Sequence, residues 1–151
     1  MSRAVGFLCL TLCLIFGIDQ AIKWLFLEGF RWHSEVFSLI LTYNKGVAFS
    51  MFAFLADNLK YVQLAFIIGL AVYIGRQREM VLRYYIPIGI IGGAALSNLA
   101  DRFIHGGVVD YFFWHYGFEF AVFNFADVMI DFGVLLIFYF SWKDSKSTSL
   151  G

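Results

Sequence analysis

The chain has 151 residues, of which 61% are hydrophobic and only 15% are charged, and its mean hydropathy is +0.76. Soluble domains are about 45–50% apolar and about 25% charged, so this composition argues against a soluble protein and favours an integral membrane protein. Eleven Lys and Arg balance eleven Asp and Glu, which excludes a net field that would recruit nucleic acid. The length predicts one membrane-embedded domain covering residues 1–151.

Apolar segments predict an all-α membrane fold with four transmembrane helices. Each uncharged stretch falls short of the ~20 residues that cross a bilayer, so we extend each by terminal residues whose charges can reach the interface. The predicted spans are residues 4–24, 58–76, 84–104 and 124–142. The first segment could instead be a signal-peptide core, because Arg3 precedes it, but no small-x-small cleavage site follows it.

The positions of the basic residues predict the orientation. An even number of crossings places both termini on one side, with 6 Lys and Arg there against 5 on the other side. That bias is weak, but the short segment Gly75–Arg83 concentrates three Arg. Basic residues accumulate in short cytoplasmic loops, so both termini are predicted to be cytoplasmic.

The loop between the first two spans, roughly residues 28–57, contains a strand pattern. Val36–Tyr43 is rich in β-branched and aromatic residues, Asn44–Gly46 is a turn signal, and Val47–Phe52 follows. We expect a small extracytoplasmic β-hairpin or sheet here. One strand followed by a re-entrant apolar segment is the alternative, and periodicity does not separate the two.

Ionisable residues cluster where the third span ends and the fourth begins. Such groups are costly at membrane depth, so each is a functional hypothesis. Asn98 and Arg102 are i,i+4 neighbours on the predicted helix, as are Asp101 and His105, so these side chains could pair within the helix. Asp101 and Arg102 are adjacent and are expected to find separate partners.

Two further carboxyls, Asp110 and Asp127, return to the same leaflet if spans three and four form an antiparallel hairpin. Two facing carboxyls in a site of low dielectric cannot both ionise cheaply. Such a pair can activate water without a metal, since the ionised member takes a proton and the neutral member hydrogen-bonds the scissile carbonyl. The alternative is that each Asp only caps a helix or pairs with Arg102 or Lys23.

Two other classes of membrane protein remain as alternatives. Asp131, one helical turn deeper than Asp127, would suit a proton-coupled transporter or channel subunit, yet the apolar residues after it continue no polar path. A metal-dependent hydrolase would need ligands at helical spacing, which His33, His105 and His115 lack. We therefore expect no metal and no cofactor.

Five sequence blocks, taken in order, resemble lipoprotein signal peptidase (signal peptidase II). They are Asp19-Gln20 with Lys23, Asn44–Phe49, Gly92–Arg102, Gly107–Tyr111 and Phe123–Asp127. The resemblance implies a multi-pass enzyme of the bacterial inner membrane, an aspartyl endopeptidase that cleaves the signal peptide from prolipoproteins immediately before the diacylglyceryl-modified cysteine. It also implies an active site near the extracytoplasmic face.

The resemblance extends to individual residues. It implies that Asp110 and Asp127 are the catalytic pair, with substrate-binding or supporting positions at Asp19, Lys23, Asn44, Gly46, Asn98, Asp101, Arg102, Asn124 and Ala126. Asp131 lies outside the motif. We expect Arg102 to orient carbonyl or lipid ester oxygens, or else to neutralise Asp101, and the loop after Val36 to clamp the peptide. The expected partners are lipid-modified prolipoprotein signal peptides and membrane lipids, with no nucleic acid, and the chain is expected to act as a monomer.

Overall fold

The structure, a computed structural model, describes residues 2–46 and 58–149. These residues form four helices, α1 (Ser2–Leu27), α2 (Leu59–Arg76), α3 (Arg78–Ile104) and α4 (Phe125–Ser149), and three strands, β1 (Trp32–His33), β2 (Phe37–Asn44) and β3 (Val108–Trp114). By length and composition, each of these helices can cross a membrane. The predicted fold of four apolar helices with a small extracytoplasmic sheet is confirmed in its helices and in the presence of a sheet.

Helix α3 is the centre of the helical bundle, and α1, α2 and α4 pack against it. Glycines permit the close approach of α1. A Cβ atom at Gly89 would lie 2.7 Å from the carbonyl oxygen of Leu8, and a Cβ atom at Gly93 would collide with the carbonyl oxygen of Leu12. The two glycines are four residues apart, which is the small-xxx-small spacing that brings membrane helices together.

Helix α3 is kinked at Tyr84, whose φ and ψ of −118° and 23° are not helical. The cause is Pro87, because a proline ring clashes with the carbonyl three to four residues before it and offers no N–H to the helix. The uncharged part of α3 begins at this kink, and the preceding turn carries the basic residues.

The sheet differs from the predicted hairpin in its strand partners. Strand β2 covers the predicted strand and lies between β1 and β3, antiparallel to both. Its pairing with β3 runs from Phe37 opposite Trp114 to Asn44 opposite Val108. The predicted return strand Val47–Phe52, and the re-entrant alternative, lie outside the described residues. Strand β3 was not predicted, although its β-branched and aromatic residues are typical of strands.

Burial is inverted relative to a soluble protein. Large apolar side chains cover the outside of the helices, whereas polar and charged side chains fill the interior at the end nearest the sheet. This pattern matches a surrounding lipid solvent, because a polar group exposed to hydrocarbon lacks a hydrogen-bond partner. The buried polar residues are Asp19, Lys23, Ser38, Ser97, Asn98, Asp101, Arg102, Asp110 and Asn124.

Candidate active site

A cavity of about 550 Å³ lies where the sheet meets the ends of the helices. This size is ordinary for a ligand site. Residues from β2, α2, α3, β3 and α4 line it, together with the segment 120–123 that precedes α4. Its polar lining residues are Asn44, Gln63, Asn98, Arg102, Asp110, Asp127 and Asp131.

Asp110 projects from β3 and is 1% exposed. Gly106, whose φ is +73°, lets the chain turn from α3 into this strand. Asn44 Nδ2 donates to Oδ2 of Asp110 at 3.0 Å, and Asn124 Nδ2 donates to Oδ1 at 2.6 Å. Burial chiefly, and then the charge of Asp127, raises the pKa of Asp110 to about 7, although these two hydrogen bonds act in the opposite direction.

Asp127 lies in the first turn of α4. Asn98 Nδ2 donates to its Oδ1 at 2.9 Å, and the backbone N–H of Asn124 donates to its Oδ2 at 3.1 Å. In return, the backbone N–H of Asp127 donates to Oδ1 of Asn124 at 2.9 Å. This reciprocal pair is a capping box, in which the residue before the helix and the residue three positions later satisfy each other's N–H groups.

Asn124 therefore contacts both carboxyls, through its side chain at Asp110 and through its backbone at Asp127. Neither carboxylate forms an ion pair with Arg102 or Lys23, so that alternative for the two Asp residues does not hold. The helix-capping alternative holds for Asp127, whose capping contact coexists with its place on the cavity wall.

Lys23 is buried at 1% exposure and has three acceptors for its three protons. They are Asp19 Oδ2 at 2.6 Å, Asp101 Oδ2 at 2.7 Å and Asn98 Oδ1 at 2.8 Å. Since Asn98 also donates to Asp127, the ammonium group positions an amide that holds the second carboxyl. Lys23 is thus a supporting residue that does not line the cavity.

The two carboxylates beside Lys23 hold the elements that carry Asp110 and Asp127. Asp19 Oδ1 accepts the backbone N–H of Ala126 at 2.9 Å, at the positive N-terminus of α4. Asp101 Oδ2 accepts the backbone N–H of Val109 at 3.0 Å, next to Asp110. Asp19 and Asp101 are each 0% exposed, so they act on the site through backbone position.

The expected pairs within α3 do not form. The side chain of Asp101 bonds to α1 and to the backbone of β3, not to His105. Asn98 likewise bonds to other elements, and Arg102 points to the turn after β2. Helix neighbours were the nearest candidates in sequence, but groups on other elements supply the partners. Asp101 and Arg102 do have separate partners, as their adjacency predicted.

Arg102 lines the cavity and anchors the turn that follows β2. Its guanidinium donates to the carbonyl oxygen of Asn44 at 3.4 Å and to that of Gly46. The side-chain oxygen of Asn44 accepts the N–H of Gly46 at 3.0 Å, which closes an Asx turn. Arg102 Nε is buried and has no acceptor among residues 2–46 and 58–149.

Sequence reasoning missed several residues of the site. Gln20 bridges α1 to α3 by donating to Ser97 Oγ and to Asp101 Oδ1, each at 2.8 Å, and the Tyr111 hydroxyl accepts the N–H of Phe125 at 3.0 Å. Ser97 and Asp101 share a helix face at i,i+4, which could have pointed to the first bridge. Gln63 of α2 was also missed.

Asp131 lines the same cavity and is exposed, with no hydrogen bond to the other described residues. Within the described ranges, no three His, Cys, Asp or Glu side chains are grouped so as to hold a metal ion.

Comparisons with known proteins agree with this geometry. Residues 11–143 match the family model described as Signal peptidase (SPase) II. The chain is 58% identical over 130 residues to the lipoprotein signal peptidase of Wolinella succinogenes, covering 86% of this chain and 87% of that protein. It is 55% identical over 137 residues to that of Helicobacter pylori, covering 88% and 87%.

A solved structure, described as a bacterial membrane enzyme obtained by the in meso method at 2.3 Å resolution, has the same fold. The TM-score is 0.77 at 24% identity, and the match covers 95% of this chain and 92% of that one. The two chains therefore share a four-helix architecture despite distant sequences.

Proposed function

This chain belongs to the signal peptidase II family, and we propose that it hydrolyses the peptide bond immediately before the lipid-modified cysteine of prolipoproteins, using Asp110 and Asp127 as its catalytic pair. One observation carries the assignment of the pair. Both carboxyls line one cavity, and Asn124 hydrogen-bonds to each of them. The protein is accordingly a multi-pass bacterial membrane protease.

The chemistry requires one ionised and one protonated carboxyl. The ionised member removes a proton from water as the water oxygen attacks the scissile carbonyl carbon. The protonated member gives its proton to the carbonyl oxygen, and a tetrahedral intermediate forms. Collapse breaks the C–N bond, and the proton held by the first carboxyl passes to the departing amine of the cysteine. One hydroxyl of the intermediate returns its proton to the second carboxyl, which leaves a carboxylic acid as the other product and restores the pair.

Asp110 is the protonated member in this mechanism. Its pKa of about 7 means that a large fraction of molecules carry this proton at neutral pH. Asp127 is then the base, held by donors from Asn98 and from the backbone of Asn124. Because the two carboxyls interact, the loss of a proton from one affects the loss of a proton from the other.

Arg102 has the role of a substrate-orienting group. It lines the cavity, and its planar guanidinium offers five N–H donors. The bonds to the Asn44 and Gly46 carbonyls fix its plane while Nε has no acceptor among the described residues. A carbonyl or lipid ester oxygen of the substrate is a suitable acceptor. Neutralisation of Asp101 is not supported, since that carboxylate pairs with Lys23.

The substrate approaches from the bilayer. The cavity has walls from α2 and α4, which both pack on α3, so the space between these two helices admits a peptide sideways. The apolar part of the signal peptide then lies along the helices, and the diacylglyceryl chains stay in lipid. Of the loop after Val36 that is proposed as a clamp, residues 47–57 lie outside the described part of the chain.

Both termini are cytoplasmic in this proposal, and the site is near the extracytoplasmic face. Arg76, Arg78 and Arg83 lie at the α2–α3 connection, at the end of the bundle away from the sheet. Arg83 pairs with Asp144 near the end of α4, so the C-terminal part of α4 lies at this same end. Clusters of Arg favour the cytoplasmic side.

A single chain supplies both carboxyls and all the side chains that hold them, so the monomer is the proposed active unit. Asp131 is the residue that would suit a transporter, but residues 132–140 of α4 are apolar, so no polar path along this helix supports that alternative.

The test is incubation of the purified protein with a lipid-modified precursor and, in parallel, with the same precursor lacking the lipid. The proposal expects release of the signal peptide from the lipidated form, seen as a mobility shift on a gel, and little or none from the unlipidated form. Intact lipidated precursor after long incubation would overturn the proposal. Equal cleavage of both forms would overturn the requirement for the lipid.

A further inference from the structure

Two polar side chains in the cavity wall have no partner among the described residues and no place in the mechanism above. Gln63 projects from α2, and its Oε1 atom is buried without a hydrogen-bond partner. Its amide nitrogen has no partner among the described residues either. Asp131 projects from α4 into the same cavity and is likewise unpaired within residues 2–46 and 58–149.

Such groups are unfavourable inside a bilayer. An amide or a carboxyl placed against hydrocarbon without a hydrogen bond costs several kcal/mol relative to water. Among the described residues, the other buried side-chain atom without a partner is Arg102 Nε, whereas a group such as the Lys23 ammonium has three acceptors. Gln63 Oε1 is therefore an exception that a ligand in the cavity would resolve, and the exposed carboxyl of Asp131 lines the same cavity.

The depth of these residues indicates which part of a substrate reaches them. Gln63 lies four residues into α2, and Asp131 lies six residues into α4, or about 6 and 9 Å along the helix axes. Asp127 is only two residues into α4. In the proposed orientation Asp131 is thus on the cytoplasmic side of Asp127, and Gln63 lines the same cavity from α2. The substrate residues that precede the scissile bond approach from that side.

Those substrate residues carry unpaired backbone groups when they are cleaved. In a helix the carbonyl is bonded to a later N–H group, so attack on it requires the segment around the scissile bond to unwind. Unwinding leaves N–H and C=O groups that water cannot reach at this depth. A carboxamide offers one acceptor and two donors, which matches a peptide group, and a carboxyl oxygen accepts an N–H.

We propose that Gln63 and Asp131 bind the unwound backbone of the signal peptide just before the scissile bond, as substrate-binding residues distinct from the catalytic pair. The inference rests on the proposed function. It assigns to α2, which contributes no group to the catalytic mechanism, the role of one wall of the peptide-binding site.

The first experiment measures KM and kcat for the lipidated precursor with Gln63→Leu, Asp131→Leu and Asp131→Asn. We expect each Leu variant to raise KM by about 3- to 10-fold, the loss expected for a hydrogen bond, with kcat within about twofold. Asp131→Asn retains an acceptor oxygen and should stay close to the parent. Gln77→Leu is the matched control, because Gln77 is exposed at the opposite end of α2.

Thermal stability separates substrate binding from a structural role. Gln63→Leu removes an unsatisfied amide from the membrane, so Tm should be unchanged or higher than in the parent. A fall in Tm together with a lower kcat and a higher KM would overturn the inference, because it would show a role in folding. Unchanged KM in both Leu variants would also overturn it.

The second experiment tests the backbone contact directly and does not depend on turnover. A fluorescent lipidated precursor is bound to Asp127→Asn protein, with and without Gln63→Leu, and single amides before the scissile bond are replaced by esters. At one position the ester should weaken binding only when Gln63 is present. If the ester and Gln63→Leu weakened binding independently of each other at every position, the inference would be overturned while the proposed function stayed in place. Absence of any binding would overturn both.

Discussion

Asn124 shows how one residue can set the geometry of two carboxyls. Its amide group donates to Asp110 and also to Asn98 Oδ1 at 3.1 Å, while its Oδ1 caps the N–H of Asp127. A side chain with both donors and an acceptor is required, so aspartate would not replace it. The relative position of these two carboxyls thus depends on an ordinary helix-capping motif.

At the proposed catalytic residues, Asp110→Asn and Asp127→Asn should each reduce cleavage of a lipidated precursor by more than about 10³-fold, since each removes one of the two proposed proton-transfer groups. The protein should remain folded, because asparagine has nearly the same shape. Asp144→Asn, the same change at the opposite end of the protein, is the control and should retain full activity. Turnover of either catalytic variant within tenfold of the parent would contradict the pair.

The raised pKa of Asp110 has a consequence for stability. The folded state holds this proton more tightly than the unfolded state, whose carboxyl has the ordinary aspartate pKa of 3.8. The stabilising effect is complete below that value and is lost as pH rises through about 7. Asp110→Asn removes this ionisation, so the variant should have a higher Tm than the parent at pH above about 8. A lower Tm for the variant above pH 8 would show instead that the folded protein stabilises the charged form of Asp110.

A variant of Asn44 tests what sets the pKa of Asp110. Its hydrogen bond to Asp110 lowers the carboxyl pKa, so Asn44→Ala should raise it. The alkaline limb of a plot of kcat/KM against pH should then move from near 7 to higher pH. Ser38→Ala, near the other end of β2, should leave the limb in place, since Ser38 bonds to His115. A limb that moves to lower pH would contradict the assignment of the proton to Asp110.

At the scale of elements, the contact between α1 and α3 decides whether the site can form. The side chains of Gln20 and Lys23 reach α3 only because Gly89 and Gly93 let the two helix backbones come close. The close contact and the polar network are therefore two aspects of one interface.

Gly93→Ala should disrupt that interface, because the added Cβ collides with the carbonyl oxygen of Leu12, a backbone atom that cannot turn aside. We expect a loss of about 1–3 kcal/mol in unfolding free energy and reduced cleavage. Unfolding in detergent, followed by Tm, provides the measurement. Gly69→Ala has open space around its Cβ and should have no harmful effect on Tm. Equal effects of the two changes would contradict close packing as the cause.

At the scale of the whole molecule, one buried cation joins four elements. Lys23 of α1 contacts Asp101 and Asn98 of α3, and through its carboxylate partners it is linked to the backbones of β3 and α4. The proposed catalytic pair lies on the last two of these elements. The arrangement of the site therefore depends on the packing of the entire bundle.

Lys23→Met should be severely destabilising, by about 3–5 kcal/mol, because it leaves Asp19 and Asp101 buried without their cation. Lys143→Met is the control, since Lys143 is exposed. Tm in detergent and cleavage activity should both fall for Lys23→Met and should both be unchanged for Lys143→Met. A stable, active Lys23→Met protein would show that the network contributes little to the fold.

Composition and motifs in the amino-acid sequence were enough to predict the membrane class, the four helices and the family. Hydrophobic runs of sufficient length cross a bilayer whatever they pack against, so local composition is enough to predict them. The strand Phe37–Asn44 was also predictable from its residue types. These features depend on neighbours in the chain and on solvent.

Which side chains meet depends on how the helices and strands pack together. Asp101 was expected to face His105 along one helix, yet it bonds to Gln20, Lys23 and the backbone of Val109. Strand β3 was overlooked because a strand is completed by its partner, here β2 from a distant loop. Gln63 gave no local signal, because an unpaired amide is recognised only once the cavity around it is seen. Hydrogen bonds and burial depend on groups far apart in sequence, so the chemistry of this site is a property of the folded bundle.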